Sequence, residues 1–318
     1  MRRIILDTDL AMGAPGSDID DGFALALAHA DPDIQLDLIT TVNGNTDVES
    51  ATILTGELLR RLSIVDVPIV KGAAASFTHP EVTRKPADSV LALAAEAHQA
   101  TEGYAAAEIA RHVMAHPGEI TIVAIGPLTN VAAAMLLEPR LAANVAEIVI
   151  MGGIFFGTMP NRMMPGEFNV WVDPEAAAAV LRSGAPLRWV GLDVTLKVRL
   201  TRAHAERMRS SDTSFAPFAG DATLAWIEHS HARNPGDPEA AESCAMHDPL
   251  AIAVITHPEL VTFVDANVSI VTGDGQARGV MITDLLRSDA PPPANAQVAA
   301  SVDASAFTEH FLNLITGL

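Results

Sequence analysis

The chain of 318 residues contains a single cysteine, Cys244. That excludes an internal disulfide and predicts a reducing, cytoplasmic compartment. Aromatic residues are scarce at 4%, and basic ones number only 20 against 39 acidic, a formal net charge of −19. Phosphate backbones repel such a surface, so no nucleic-acid partner is expected. No apolar run reaches membrane-spanning length, so no membrane partner is expected either. The opening Met1-Arg2-Arg3-Ile4 has no apolar signal core and no small-residue cleavage site. What is plentiful is core material: 49% of residues are hydrophobic and 19% charged, which fits a large globular chain.

The apolar runs set a rhythm. Strands are predicted at residues 3–6, 34–42, 67–71, 120–125, 147–151 and 187–194. Helices are predicted between them at 20–30, 47–61, 105–115, 128–137 and 174–182. This βαβα alternation predicts an α/β fold with a doubly wound, mostly parallel sheet. After about residue 200 it loosens into helices at 202–209, 215–231, 249–256 and 304–315. A late antiparallel pair is predicted at 261–271 and 279–283 in the C-terminal third. Residues 73–86 read as a loop, and the proline tract 291–293 as an exposed connector. Without repeats or a linker, residues 1–318 read as one domain.

Five aspartates fall within fifteen residues: Asp7, Asp9, Asp18, Asp20 and Asp21. They lie where the first strand hands over to the first helix, the edge at which open α/β sheets bind ligands. So many carboxylates cannot all ionise at close range without compensation. A hard divalent cation with oxygen ligands supplies it most simply. Three further polar segments follow predicted strands or open a helix: Thr41-Val42-Asn43-Gly44-Asn45, Met151-Gly152-Gly153 with Asn161 and Glu167-Phe168-Asn169, and His247-Asp248-Pro249. Polar clusters on one sheet edge converge on one pocket.

In this order, Asp-Thr-Asp, Ile-Asp-Asp-Gly-Phe-Ala-Leu, Val-Asn-Gly-Asn, Ile-Gly-Pro-Leu-Thr-Asn, Met-Gly-Gly, Glu-Phe-Asn-Val and His-Asp-Pro resemble the nucleoside hydrolases, the inosine–uridine-preferring family. The resemblance runs from about Arg3 to at least Ile255. It implies cleavage of the N-glycosidic bond of ribonucleosides and a tightly bound calcium ion. It implies metal ligation by Asp9, Asp21, Asp248 and the Ile125 carbonyl, with Asp9 also activating the attacking water. It further implies ribose contacts from Asp20, Asn45, Asn161, Glu167 and Asn169, with Met151 packed under the sugar. His247 matches the histidine associated with protonating the departing base, which favours the inosine–uridine or pyrimidine-preferring branch. Asp7 is expected to orient the loop. Family resemblance also implies a homodimer or homotetramer.

The chain departs from the family by placing ten residues between Asp9 and Asp20, a longer spacing that adds Asp18. Aligning Asp20-Asp21 with the family pair places Gly22-Phe23 at the helix start; the alternative gives Asp18 a ligand role. The inserted loop is a candidate for a pocket wall or a subunit contact. Trp226, His229, His231 and Asn234 lie where the family places a lid over the base, and His79 is a further candidate for base contact. Two other readings compete with this one. A dehalogenase-like phosphatase shares an Asp-x-Asp after its first strand, but Ala11 stands where that motif has Thr or Val. A non-catalytic nucleoside-binding protein is expected to lose a ligand, yet Asp9, Asp21 and Asp248 are all present.

Overall fold

The computed structural model describes residues 1–79, 85–284 and 292–318. Residues 80–84 of the predicted loop and Pro291 of the proline tract lie outside the described residues. Eleven strands form among the rest: β1 Arg2–Thr8, β2 Ile34–Thr41, β3 Ile69–Lys71, β4 Ile120–Ala124, β5 Glu147–Met151, β6 Leu187–Val190, β7 Arg199–Thr201, β8 Ser243–Ala245, β9 Val261–Ile270, β10 Met281–Asp284 and β11 Ala296–Val302. Nine of them make one sheet in the order β10-β9-β11-β6-β5-β4-β1-β2-β3, while β7 and β8 pair separately. Every pairing from β3 across to β11 is parallel. The late pair β9–β10 is antiparallel, as predicted.

Parallel strands are covered on both faces, so they appear in sequence as continuous apolar runs. In β1, Ile4 and Leu6 join the core on one face while Ile5 joins the other; in β4, Val123 opposes Ile120, Ile122 and Ala124. Chain order reverses between β1 and β4. A crevice opens there beyond the carboxyl ends of the strands. The residues that follow β1, β2, β4 and β5 are those singled out in the sequence.

Three helices flank this crevice or back it. Asp20–Ala30 and His247–Thr256 begin at it, and Ala304–Ile315 closes the chain against them. Phe23, on the first, meets Phe311 of the third edge-on with centroids 5.3 Å apart, and all of these rings are buried. The helix after β1 ends where Asp31 donates its N–H to Leu27 O, since the following Pro32 disfavours helical geometry at Asp31.

Three expectations are corrected. The predicted strand 187–194 stops at Val190, because Leu192 turns its N–H onto Gly153 O at 2.9 Å and opens the helical turn Leu192–Thr195. Strand β11 went unpredicted, though it fills the place between β6 and β9. The helix predicted from residue 249 begins at His247, so His247 and Asp248 lie within its first turn. No helix among the described residues is long and apolar enough to cross a membrane.

Phe311→Ala removes a fully buried ring from the contact between the closing helix and Phe23. Urea unfolding should show a loss of about 3–5 kcal/mol.

Candidate active site

The loop after β1 delivers Asp9, which is completely buried. Its Oδ2 accepts the backbone N–H of Asn45 at 2.5 Å, while Oδ1 is buried with no hydrogen-bond partner. This approach requires glycine at position 44: a Cβ there would lie 2.0 Å from Asp9 Oδ2. Asn45 also donates its side-chain amide to Asp21 Oδ2 at 3.0 Å, and Thr8 donates its hydroxyl to Asp21 Oδ1 at 2.5 Å. Asp20 Oδ2 accepts the N–H groups of His247 and Asp248 at 3.1 and 3.3 Å, which brings the N-termini of two helices together.

Asp20, Asp21 and Asp248 each present an oxygen within 4.8 Å of the other two. The close triad thus takes Asp20 where the resemblance put Asp9, and Asp9 adjoins it through Asp21. Among the described residues, no lysine or arginine bonds to any of these four carboxylates. Burial pushes Asp9 well above the usual carboxylate range, with Asp21 and Asp20 adding repulsion. Burial does the same to Asp248, helped by Asp20, Asp21 and Asp9. Asp21 is pushed up to about 7 by burial and Asp20, against the bonds from Thr8 and Asn45. An orphaned buried oxygen beside three crowded carboxylates fits a hard, oxygen-ligated divalent cation.

Asp7 plays a different part. Its Oδ1 accepts Thr40 at 2.5 Å and Asn130 at 2.8 Å, and burial pushes it up to about 6. Asn130 also donates to Thr41 O and accepts from Ala73 N, so this network ties the ends of β1 and β2 to the loop after β3.

A cavity of about 300 Å³ opens at Asp20 and Asp248. Asp20, Asn45, Ile125, Glu167, Asn169, His247 and Asp248 give it polar walls; Met151, Met159, Met164, Phe168, Leu192 and Leu196 give it apolar ones. Asn169 donates its amide to Ile125 O at 2.8 Å, tying the loop after β5 to the end of β4. The Glu167 carboxylate accepts N–H groups from Asn169, Val170 and Gly153 at 2.7–3.1 Å and so caps the helix Phe168–Val172. His247 Nδ1 lies 2.7 Å from Thr195 Oγ1. Burial lowers the basicity of this imidazole, opposed by Asp20.

Asn161 is not brought to this cavity. It is exposed and its Oδ1 accepts the N–H of Met163. His79 also lies away from the cavity and contacts Asp274 at 3.1 Å. Asp18 stands outside the triad, half-buried, with Oδ1 accepting Ile19 N–H. It lines the first cavity and an adjoining one of about 320 Å³, whose walls include Gly16, Trp226, His229 and Asn234. The inserted loop is therefore a wall, held against the helix Ala216–Arg233 by the close approach of Gly16 to the His229 ring. His231 lines neither cavity. Sequence reasoning missed Thr8, Thr195, Met159, Met164, Leu192 and Leu196. Thr8 carried a signal, standing between Asp7 and Asp9; the apolar wall carried none.

Buried acids at a sheet's switch point, under a cavity with an apolar wall, suit a metal-assisted enzyme acting on a small substrate. Residues 4–309 match the model of the inosine-uridine preferring nucleoside hydrolases, and the chain belongs to that family of N-glycosyl hydrolases acting on ribonucleosides. It is 34% identical to the non-specific ribonucleoside hydrolase RihC of Salmonella agona, over 96% of this chain and 95% of that one. Among solved structures it is similar to the plant nucleoside hydrolase PpNRh1 (TM-score 0.85, 27% identity, covering 100% and 99% of the two chains). It is also similar to a purine-preferring ribonucleoside hydrolase from Gardnerella vaginalis (TM-score 0.83, 29% identity, covering 99% and 98%).

The raised carboxylates make a sign prediction. Burial, followed by Asp20, pushes the Asp21 carboxyl up from its ordinary value of 3.8 to about 7. Its contribution to stability is fully present below the lower value and is lost as pH rises through the upper one. Thermal melts of chelator-treated protein should therefore show a lower midpoint at pH 8 than at pH 5. Added calcium should raise the midpoint more at pH 8, where protons no longer compete for the ligands.

Proposed function

We propose that this chain cleaves ribonucleosides to free base and ribose with calcium as the bound ion, preferring inosine and uridine or pyrimidine nucleosides. The observation that carries this reading is the buried, unpartnered Oδ1 of Asp9 beside the Asp20–Asp21–Asp248 triad. Asp9, Asp21, Asp248 and the Ile125 carbonyl would hold the ion, beside Asp20 of the close triad. When bound, the cation supplies the positive charge that lets these acids ionise together and polarises oxygen ligands.

The chain's own groups then divide the work. Asp9 takes the proton of the attacking water as the C1′–O bond forms. The C1′–N bond breaks through an oxocarbenium-like state, and His247 gives a proton to the departing base. Asp20, Asn45, Glu167 and Asn169 hold the ribose hydroxyls above Met151. The Glu167 oxygens accept three backbone N–H groups yet keep further lone pairs for this role. The preference rests on His247, which lines the cavity. We further propose that the 318 residues act as one domain, in a homo-oligomer in the cytoplasm.

Purified protein should release ribose and base from inosine and uridine without phosphate, and a calcium chelator should abolish that release. Asp9→Asn should lower kcat by ~10²–10⁴-fold; full turnover in that variant would overturn the assignment of the base. His247→Gln should lower kcat on inosine by ~10²-fold or more. The same variant should barely affect p-nitrophenyl riboside, whose leaving group departs without a proton. Equal losses on both substrates would show that His247 is not the acid.

A further inference from the structure

The two helices that begin at the acid triad also end together. Asp20–Ala30 runs from Asp20 to Asp31, and His247–Thr256 runs from the triad to His257. At 1.5 Å per residue their far ends lie about 15 Å from the active site. There the closing helix Ala304–Ile315 supplies His310. Asp31, His257 and His310 each present a donor atom within 4.8 Å of the other two.

Their surroundings leave these donors free to bind. His310 Nε2 is buried and has no hydrogen-bond partner. The His257 and His310 rings lie 4.3 Å apart at 57°, a close contact that disfavours a charge on both. Burial, followed by His257, lowers the basicity of His310, and the neutral imidazole is the ligand form. Asp31 accepts Thr256 Oγ1 at 2.6 Å on Oδ2 and Asp33 N at 2.9 Å on Oδ1, which fixes the carboxylate while each oxygen keeps a lone pair. Glu259 Oε1 lies 3.0 Å from His257 Nδ1. A carboxylate on a ligating histidine is the usual support that orients the ring and raises its basicity. Asp31 and Glu259 together balance a divalent charge.

We propose that Asp31, His257 and His310 form a second metal site, one that takes a divalent transition-metal ion of the zinc class. Two imidazoles and a carboxylate suit zinc, cobalt or nickel and disfavour calcium. A tetrahedral site with bonds of ~2.1 Å sets its ligands about 3.4 Å apart. Closing from 4.8 Å thus takes an adjustment of no more than about 1.4 Å, and the His257 side chain, 41% exposed, has room to make it. Water completes the shell from the solvent side. The ion clips the closing helix to the ends of the two active-site helices. This inference does not rest on the catalytic reading.

Cobalt(II) is the probe, added to full-length protein already saturated with calcium. One equivalent should give visible d–d bands that zinc displaces, and one equivalent of zinc should raise the melting midpoint by several degrees. His257→Ala and His310→Ala should each weaken cobalt binding by at least ~100-fold and remove the zinc-induced shift. Calcium-dependent nucleoside hydrolysis should be unchanged in both. The proposal fails if the unmodified protein gives no bands, or if the bands persist in the double variant. Should His310→Ala not fold, His257→Ala, at a partly exposed position, decides the matter alone.

Discussion

Asp9, Asp20, Asp21 and Asp248 are buried within reach of one another, and most of the architecture around the switch point follows from that. Ionised carboxylates removed from water cost several kcal/mol each unless hydrogen-bonded and paired. The protein answers with every neutral device at hand. Thr8 and Asn45 donate to Asp21, the Asn45 backbone to Asp9, and the N–H groups of His247 and Asp248 to Asp20. Two helix N-termini bring their partial positive charge to the same point. These donors lower the cost without cancelling it, since Asp9, Asp21 and Asp248 remain raised. The residual debt is what a cation settles, so an apo site of this kind stores its own affinity.

That constraint also explains why so much was legible. Acids that must meet at one point have to sit at strand ends and helix starts, where sequence motifs are compact. The apolar runs of β1, β4 and β5 declare buried parallel strands, and helices Asp20–Ala30 and Ala105–Ala115 announce their ends through the following Pro32 and Pro117. Strand β11 escaped because Ala-Gln-Val-Ala-Ala-Ser-Val is rich in small residues and imitates helix or coil. It becomes a strand through tertiary pairing: β9 on one side and β6 on the other. The strand after residue 187 was overextended for the opposite reason. Leu192 and Val194 keep the apolar alternation while Asp193 has turned to accept the N–H groups of Phe155 and Phe156.

Within the site, legibility follows the type of interaction. Charged residues with obligatory partners could be placed from sequence; residues that act only by shape could not. Met159, Met164, Leu192 and Leu196 come from segments distant in the chain and share only a wall of the cavity. Asn161 failed for a related reason. A loop residue is aimed by its own turn rather than by its motif, and Asn161 satisfies its amide oxygen locally with Met163. The loop of residues 10–19 illustrates the converse. Its buried Leu10, Ala11 and Met12 anchor it in the core, which leaves Gly16, Ser17 and Asp18 to face Trp226 and His229.

The helices Asp20–Ala30 and His247–Thr256 carry these arguments across the molecule. Each begins with an acid of the buried triad. Hydrogen bonds to Asp20 fix one end of the pair, but a rigid rod held at one end can still tilt. The packing of Phe23 against Phe311 and Phe215 restrains it midway. At the far end, Thr256 reaches across to Asp31 at 2.6 Å and joins the two C-termini directly. The acids are therefore positioned by contacts along the full length of both helices.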